Sequence, residues 1–193
     1  MIQAHISIFE DQTRLFIASS IPYDVKHELI RLQKNLIASH VIVGTYPKQE
    51  SMHLTLKFIG QVPANKVPDI QKRLQSITYR SMHAQLTLLM VFGNPQFPKV
   101  IYVDVACSGL KEFVAILDEN LKDFCKPEER EYKSHLTIVR VRQTLDSDGL
   151  LEWLDKTHVN TVPFSIDHFS LMQSALTGAG PVHTTIERYH LMP

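Results

Sequence analysis

Two stretches of this chain follow the same rule. In Ser51-Met-His-Leu-Thr-Leu-Lys-Phe-Ile-Gly60 and again in Lys133-Ser-His-Leu-Thr-Ile-Val-Arg140, polar and apolar side chains alternate. Successive side chains of a β-strand point to opposite faces, so each stretch reads as a strand with chemistry on one face and core on the other. In the first, strict alternation puts His53, Thr55 and Lys57 on one side and Leu54, Leu56 and Phe58 on the other. In the second, His135 and Thr137 share a face against Leu136 and Ile138, while Arg140 and Arg142 fall on the opposite parity unless the strand is bulged. The two histidines stand 82 positions apart, close to half the chain, which predicts an internal duplication with one triplet in each half and a cleft between them.

The intervals between the two stretches set the fold class. Arg14 to Ser19 reads as a strand, Asp24 to Ala38 as a helix with Pro22 leading into its first turn, and Val41 to Thr45 as another strand. Pro63 to Ile77 has helical spacing, with Pro68 marking its true first turn. Strands over Ala84 to Phe92 and Val100 to Ala106 flank a turn-prone loop, Gly93 to Pro98. A helix capped by Ser108 is predicted to run to Cys125, and a shorter one capped by Asp146 or Ser147 to reach Trp153 to Lys156. Phe164 to Met172 and Val182 to His190 close the pattern as two strands. The sum is an α+β fold, mainly antiparallel.

Composition excludes several functions. At 193 residues the chain can bury a real core without staples, and its 20 basic and 20 acidic residues cancel, so attraction to nucleic acid must come from a local patch. Cys107 and Cys125 have neither metal-ligand spacing nor a disulfide framework and are expected to be reduced thiols of a cytoplasmic protein. No apolar run approaches membrane-spanning length, and Met1 to Ile6 lacks the features of a signal peptide. The remaining histidines share no spacing, so no metal site is expected.

Two imidazoles across a cleft can act as acid and base in one displacement, and phosphoryl transfer through a cyclic phosphate fits that arrangement without a metal. Thr55 and Thr137 would put hydroxyl donors beside the imidazoles, where they can bond non-bridging phosphate oxygens. Lys57 and Arg140 are further candidates. A third His-x-Thr triplet, His183-Thr184-Thr185, follows a Gly-Pro turn, lacks the intervening leucine and is expected to be an ordinary strand start.

The paired His53-Leu-Thr-Leu and His135-Leu-Thr-Ile motifs resemble the H-x-T-x pairs of the 2H phosphoesterase superfamily, most closely the LigT-like RNA 2′,3′-cyclic phosphodiesterases, also called 2′-5′ RNA ligases. The likeness runs from Arg14-Leu-Phe-Ile-Ala18 to Glu187-Arg-Tyr-His190. It implies a single domain over residues 1–193, built of two intertwined, pseudo-symmetric lobes with the triplets lining a central cleft. It also implies a cofactor-free monomer that hydrolyses 2′,3′-cyclic phosphate ends of RNA or nucleotides to 2′-phosphates, with reverse 2′-5′ ligation as a companion reaction. By the resemblance His53 is the proton donor and His135 the acceptor. Alternatives are a phosphate-binding module for RNA ends or nucleotides without turnover, or a relative acting on 2′-5′-linked oligoadenylate or ADP-ribose cyclic phosphate. Two departures flank the motifs: Ser134 stands where the family usually has proline, and Met52 where leucine is more common.

Overall fold

The computed structural model describes residues 12–126, 131–178 and 180–193. Nine strands and four α-helices are described in this order: β1 (Gln12–Ser20), α1 (Tyr23–Ser39), β2 (Ile42–Thr45), β3 (His53–Pro63), α2 (Val67–Gln75), β4 (Met82–Asn94), β5 (Phe97–Cys107), α3 (Leu110–Leu121), β6 (His135–Thr144), α4 (Ser147–Lys156), β7 (Pro163–Ile166), β8 (His168–Thr177) and β9 (Gly180–His190). They form two sheets, of strand order β3-β1-β8-β9 and β2-β6-β5-β4-β7, and every strand pairing in them is antiparallel. This is the α+β class that the alternation predicts.

The two halves of the chain are interleaved. Strand β4 leaves the first half to pair with β5, and β8 leaves the second half to pair with β1. The helices cross over as well: α1 packs on β6 and α4, whereas α3 packs on β3 and α2. Each sheet is therefore covered by one helix from either half. The apolar stripe of α1, Val25, Leu29, Leu32 and Leu36, is buried, as are Phe113, Leu117 and Leu121 of α3.

Local chemistry explains the element ends. Pro68 lies in the first turn of α2, where its missing N–H costs nothing, and the Asp146 side chain caps α4 by accepting the Gly149 N–H at 2.9 Å. Ser108 does not cap α3. Gly109 holds that position at φ 86°, a left-handed conformation that glycine adopts without a Cβ clash, and the helix ends at Leu121 rather than Cys125. The stretch Gly93 to Pro98 is less of a loop than its composition suggests, because β4 and β5 remain paired to Asn94 and Phe97. The span Phe164 to Met172 is broken at Asp167 into β7 and β8, which belong to different sheets. Strand β3 adopts φ 90° at Gly60 and continues to Pro63. The first eleven residues lie outside the described residues.

Candidate active site

Strands β3 and β6 carry the two triplets, and each is paired with the strand that opens a half. Along β3, His53 faces Ser20, Thr55 faces Ala18, Lys57 faces Ile17 and Phe58 faces Phe16. Leu56 has no partner, so a bulge falls after the threonine. Along β6, His135 faces Asp104, Thr137 faces Tyr102, Val139 faces Ile101 and Arg140 faces Val100, which leaves Ile138 as the extra residue. The six positions from each histidine show one burial sequence: half-buried, buried, half-buried, buried, buried, exposed. The bulge thus sits at the same place in both strands and reverses the parity beyond it.

That reversal decides two of the candidates. Lys57 does not share a face with His53: it is buried on the helix side, where its ammonium pairs with Asp118 of α3. Phe58 comes out instead, with its ring 6.3 Å from Phe16. In β6 the same slip turns Arg140 back to the parity of His135, and its charge bears on both His53 and His135. Strands β3 and β6 also touch directly.

Buried polar groups hold both bulges. The carbonyl of Ile138 accepts from Gln33 Nε2 of α1 at 3.0 Å, and the carbonyl of Thr55 accepts from the Tyr132 hydroxyl at 3.0 Å. Tyr132 precedes β6, so this bond ties one motif to the other. Burial raises the pKa of the Tyr132 phenol. Beyond the β6 bulge, β2 crosses closely: a Cβ on Gly44 would lie 2.5 Å from Val139 Cγ2 and 2.8 Å from the Arg140 carbonyl oxygen, so only glycine fits. Ser134 extends the ladder past His135, its hydroxyl donating to the Val105 carbonyl at 2.6 Å and its carbonyl accepting the Val105 N–H at 3.4 Å.

Each imidazole is oriented by the backbone two residues before it and backed by aromatic rings. His135 Nδ1 lies 2.8 Å from the Lys133 carbonyl; a carbonyl only accepts, so Nδ1 carries the proton and Nε2 is left as the reactive nitrogen. The Ser51 backbone makes the equivalent bond to His53. Phe92 and Tyr102 pack edge-on against His135 with centroids at 5.0 and 5.3 Å, and Phe16 lies 5.0 Å from His53. Burial lowers both pKa values. His53 is pushed down to about 4, by desolvation first, then by the His183 ring and by the charges of Lys26 and Arg140, against the opposing bond from Ser51. His135 is lowered by desolvation and by Arg140, against the opposing effects of the Lys133 carbonyl and Asp104.

His183, expected to be an ordinary strand position, lies beside His53. The rings meet edge to face at 5.3 Å, and the buried His183 Nδ1 has no hydrogen-bond partner. Its triplet gave no clue, because the contact depends on how β9 returns along the sheet. Among the described residues no group of three or more His, Cys, Asp or Glu side chains could hold a metal ion, and no helix is long and apolar enough to cross a membrane.

A family model described as LigT-like phosphoesterase matches residues 20–102 and 104–183, one motif in each stretch. The chain belongs to that family. It is 29% identical over 177 residues to an RNA 2′,3′-cyclic phosphodiesterase of Methanocaldococcus jannaschii, an alignment covering 91% of this chain and 99% of that protein. The fold is shared with the crystal structure of TT0787 of Thermus thermophilus, at a TM-score of 0.74 and 21% identity over 92% of this chain and 97% of that one. It is shared also with Escherichia coli LigT complexed with ATP, at a TM-score of 0.71 and 16% identity over 95% of this chain and all of that one. As a LigT-like phosphoesterase, the chain carries its two histidine motifs on the matching, bulged strands β3 and β6.

Proposed function

We propose that this protein hydrolyses the 2′,3′-cyclic phosphate at an RNA or nucleotide end to a 2′-phosphate, with His53 and His135 as proton donor and acceptor and no metal. The observation that carries the reading is Arg140, whose charge reaches both imidazoles from the one strand position that the bulge returns to the cleft. A cyclic phosphate anion beside Arg140 would meet an imidazole on either side. His135 Nε2 takes a proton from water as its oxygen attacks phosphorus; the bond from phosphorus to O3′ breaks; His53 gives its proton to O3′. The Thr55 and Thr137 hydroxyls and the Arg140 guanidinium offset the charge that builds on the non-bridging oxygens. With a 5′-hydroxyl in place of water, the same proton transfers yield a 2′-5′ linkage.

Before substrate binds, a neutral His135 is already a base. His53 is neutral too, and an acid must start protonated. The substrate resolves this: a bound phosphate favours the imidazolium, and an imidazolium with a lowered pKa gives its proton up readily. The RNA 2′,3′-cyclic phosphodiesterase of Methanocaldococcus jannaschii supports the choice of substrate. The test is a 2′,3′-cyclic oligonucleotide incubated with the protein and EDTA, with ³¹P NMR identifying which oxygen keeps the phosphate. A 2′-phosphate from wild type, and none from folded His53→Ala or His135→Ala, is the expected result. Full activity in either variant sinks the mechanism; saturable binding without product means a phosphate-binding module.

A further inference from the structure

A second reactive cluster lies beside His53. Ser20 is the cross-strand partner of His53, and on its other side β1 runs next to β8, whose first residue is His168. The Ser20 hydroxyl lies 2.8 Å from His168 Nε2, and His168 Nδ1 lies 2.5 Å from the Asp167 carboxylate. A carboxylate only accepts, so Nδ1 carries the ring proton; Nε2 is then the acceptor and the Ser20 hydroxyl donates to it. The His168 side chain is only 13% exposed, whereas Ser20 is open to solvent. Asp167 sits at the break between β7 and β8, and its carbonyl accepts the Leu191 N–H at 2.8 Å, which fixes the backbone from which the carboxylate reaches the ring. A nucleophile, a base in hydrogen-bond reach and an acid that orients the base are thus assembled from residues 148 positions apart.

We infer that Ser20 is a serine nucleophile activated by His168, with Asp167 as its positioning residue, and that it reacts with carboxylic esters. The Ser20 oxygen bonds to the ester carbonyl carbon while its proton passes to His168 Nε2; the bond from that carbon to the alcohol oxygen breaks, and His168 returns the proton to the departing alcohol. Water repeats the sequence on the acyl-serine and releases the acid. The phosphodiesterase reaction has no part in these steps, since none of the three residues is His53, His135 or Arg140.

The probe is an alkyl fluorophosphonate, which forms a bond from the Ser20 oxygen to phosphorus and expels fluoride, read by intact mass and peptide mapping. Wild type should gain one adduct, on Ser20. Ser20→Ala should gain none, and His168→Ala should label at least ~10²-fold more slowly. Asp167→Asn should label at least ~10-fold more slowly and lose the Nδ1–H tautomer of His168 in ¹⁵N NMR, a change that mere support of the strand break would not produce. His135→Ala, on the other sheet, should lose cyclic phosphodiesterase activity and still label Ser20, which separates this centre from the cyclic phosphodiesterase site. No adduct on Ser20 in wild type, or an unchanged labelling rate in folded His168→Ala, overturns the inference.

Discussion

Strands β3 and β6 share a pattern of burial and a bulge one residue past the threonine, yet they differ in what the bulge delivers. In β6 it returns Arg140 to the parity of His135 and leaves Val139 in the core; in β3 it turns Phe58 outward and sends Lys57 inward to Asp118. The cation of one strand stays exposed and bears on both imidazoles, and the cation of the other is buried against Asp118. Two strands can therefore share a backbone irregularity while one presents its charge and the other buries it.

If the copies are chemically equivalent at their histidines, His53→Ala and His135→Ala should each lower kcat by roughly 10²–10⁴-fold, the usual range for a positioned acid or base, with circular dichroism unchanged. A large inequality between them would break the symmetry at its centre. The next test is pH. His53 titrates near 6.5 in the unfolded chain but at about 4 in the folded protein, so only the unfolded state takes up that proton as pH falls between the two values. Stability should fall over that window by up to about 3 kcal/mol, since one pKa unit corresponds to about 1.4 kcal/mol. His53→Gln should reduce the slope of urea-derived stability between pH 6.5 and 4, leaving the part due to His135 and His183, whose pKa values burial also lowers; an unchanged slope would mean that His53 is not responsible.

Smaller effects sharpen the difference between the strands. Arg140→Ala should lower kcat/KM by roughly 10–100-fold, as befits a lost charge-assisted contact, while Phe58→Ala at the matching position should change it less than about threefold. Equal losses would mean that the bulges do not sort the two sites. Thr55→Val and Thr137→Val should each slow turnover by roughly tenfold without unfolding, and unaltered kinetics would remove the hydroxyls from the phosphate site. Lys57→Met should leave activity within about twofold and stability within about 1 kcal/mol, because methionine fills the same volume and the Asp118 side chain, 40% exposed, remains in water. Asp118→Ala should cost more in thermal denaturation, since it strands a buried ammonium.

What the sequence made legible followed from local periodicity. His53, Thr55, His135 and Thr137 could be placed on the half-buried faces of their strands because two-residue alternation is a property of a single strand. Lys57 and Arg140 could not, since a bulge depends on which residues the neighbouring strand offers, and Leu56 and Ile138 look like ordinary core residues. Ser108 looked like a helix cap by residue type, but the chain turns sharply after β5 and Gly109 is the residue able to turn there. His183, Ser20 and His168 were illegible for a different reason. Their partners lie on strands remote in the chain, and no spacing rule relates Ser20 to His168 before β8 is known to lie against β1.

The exchange of β4 and β8 between the sheets has a consequence for synthesis. Ile17 emerges early from the ribosome but must wait for Leu171, 154 positions later, before β1 is flanked on both sides. Until then the nascent chain holds β1 with an unpaired edge, the arrangement most exposed to mispairing, and such distant pairings are slow to form. The sheet of the His53 motif is incomplete until β8 and β9 are in place, whereas that of the His135 motif closes with β7, so the site is assembled among the last features of the molecule and severed halves should not complement one another as preformed lobes.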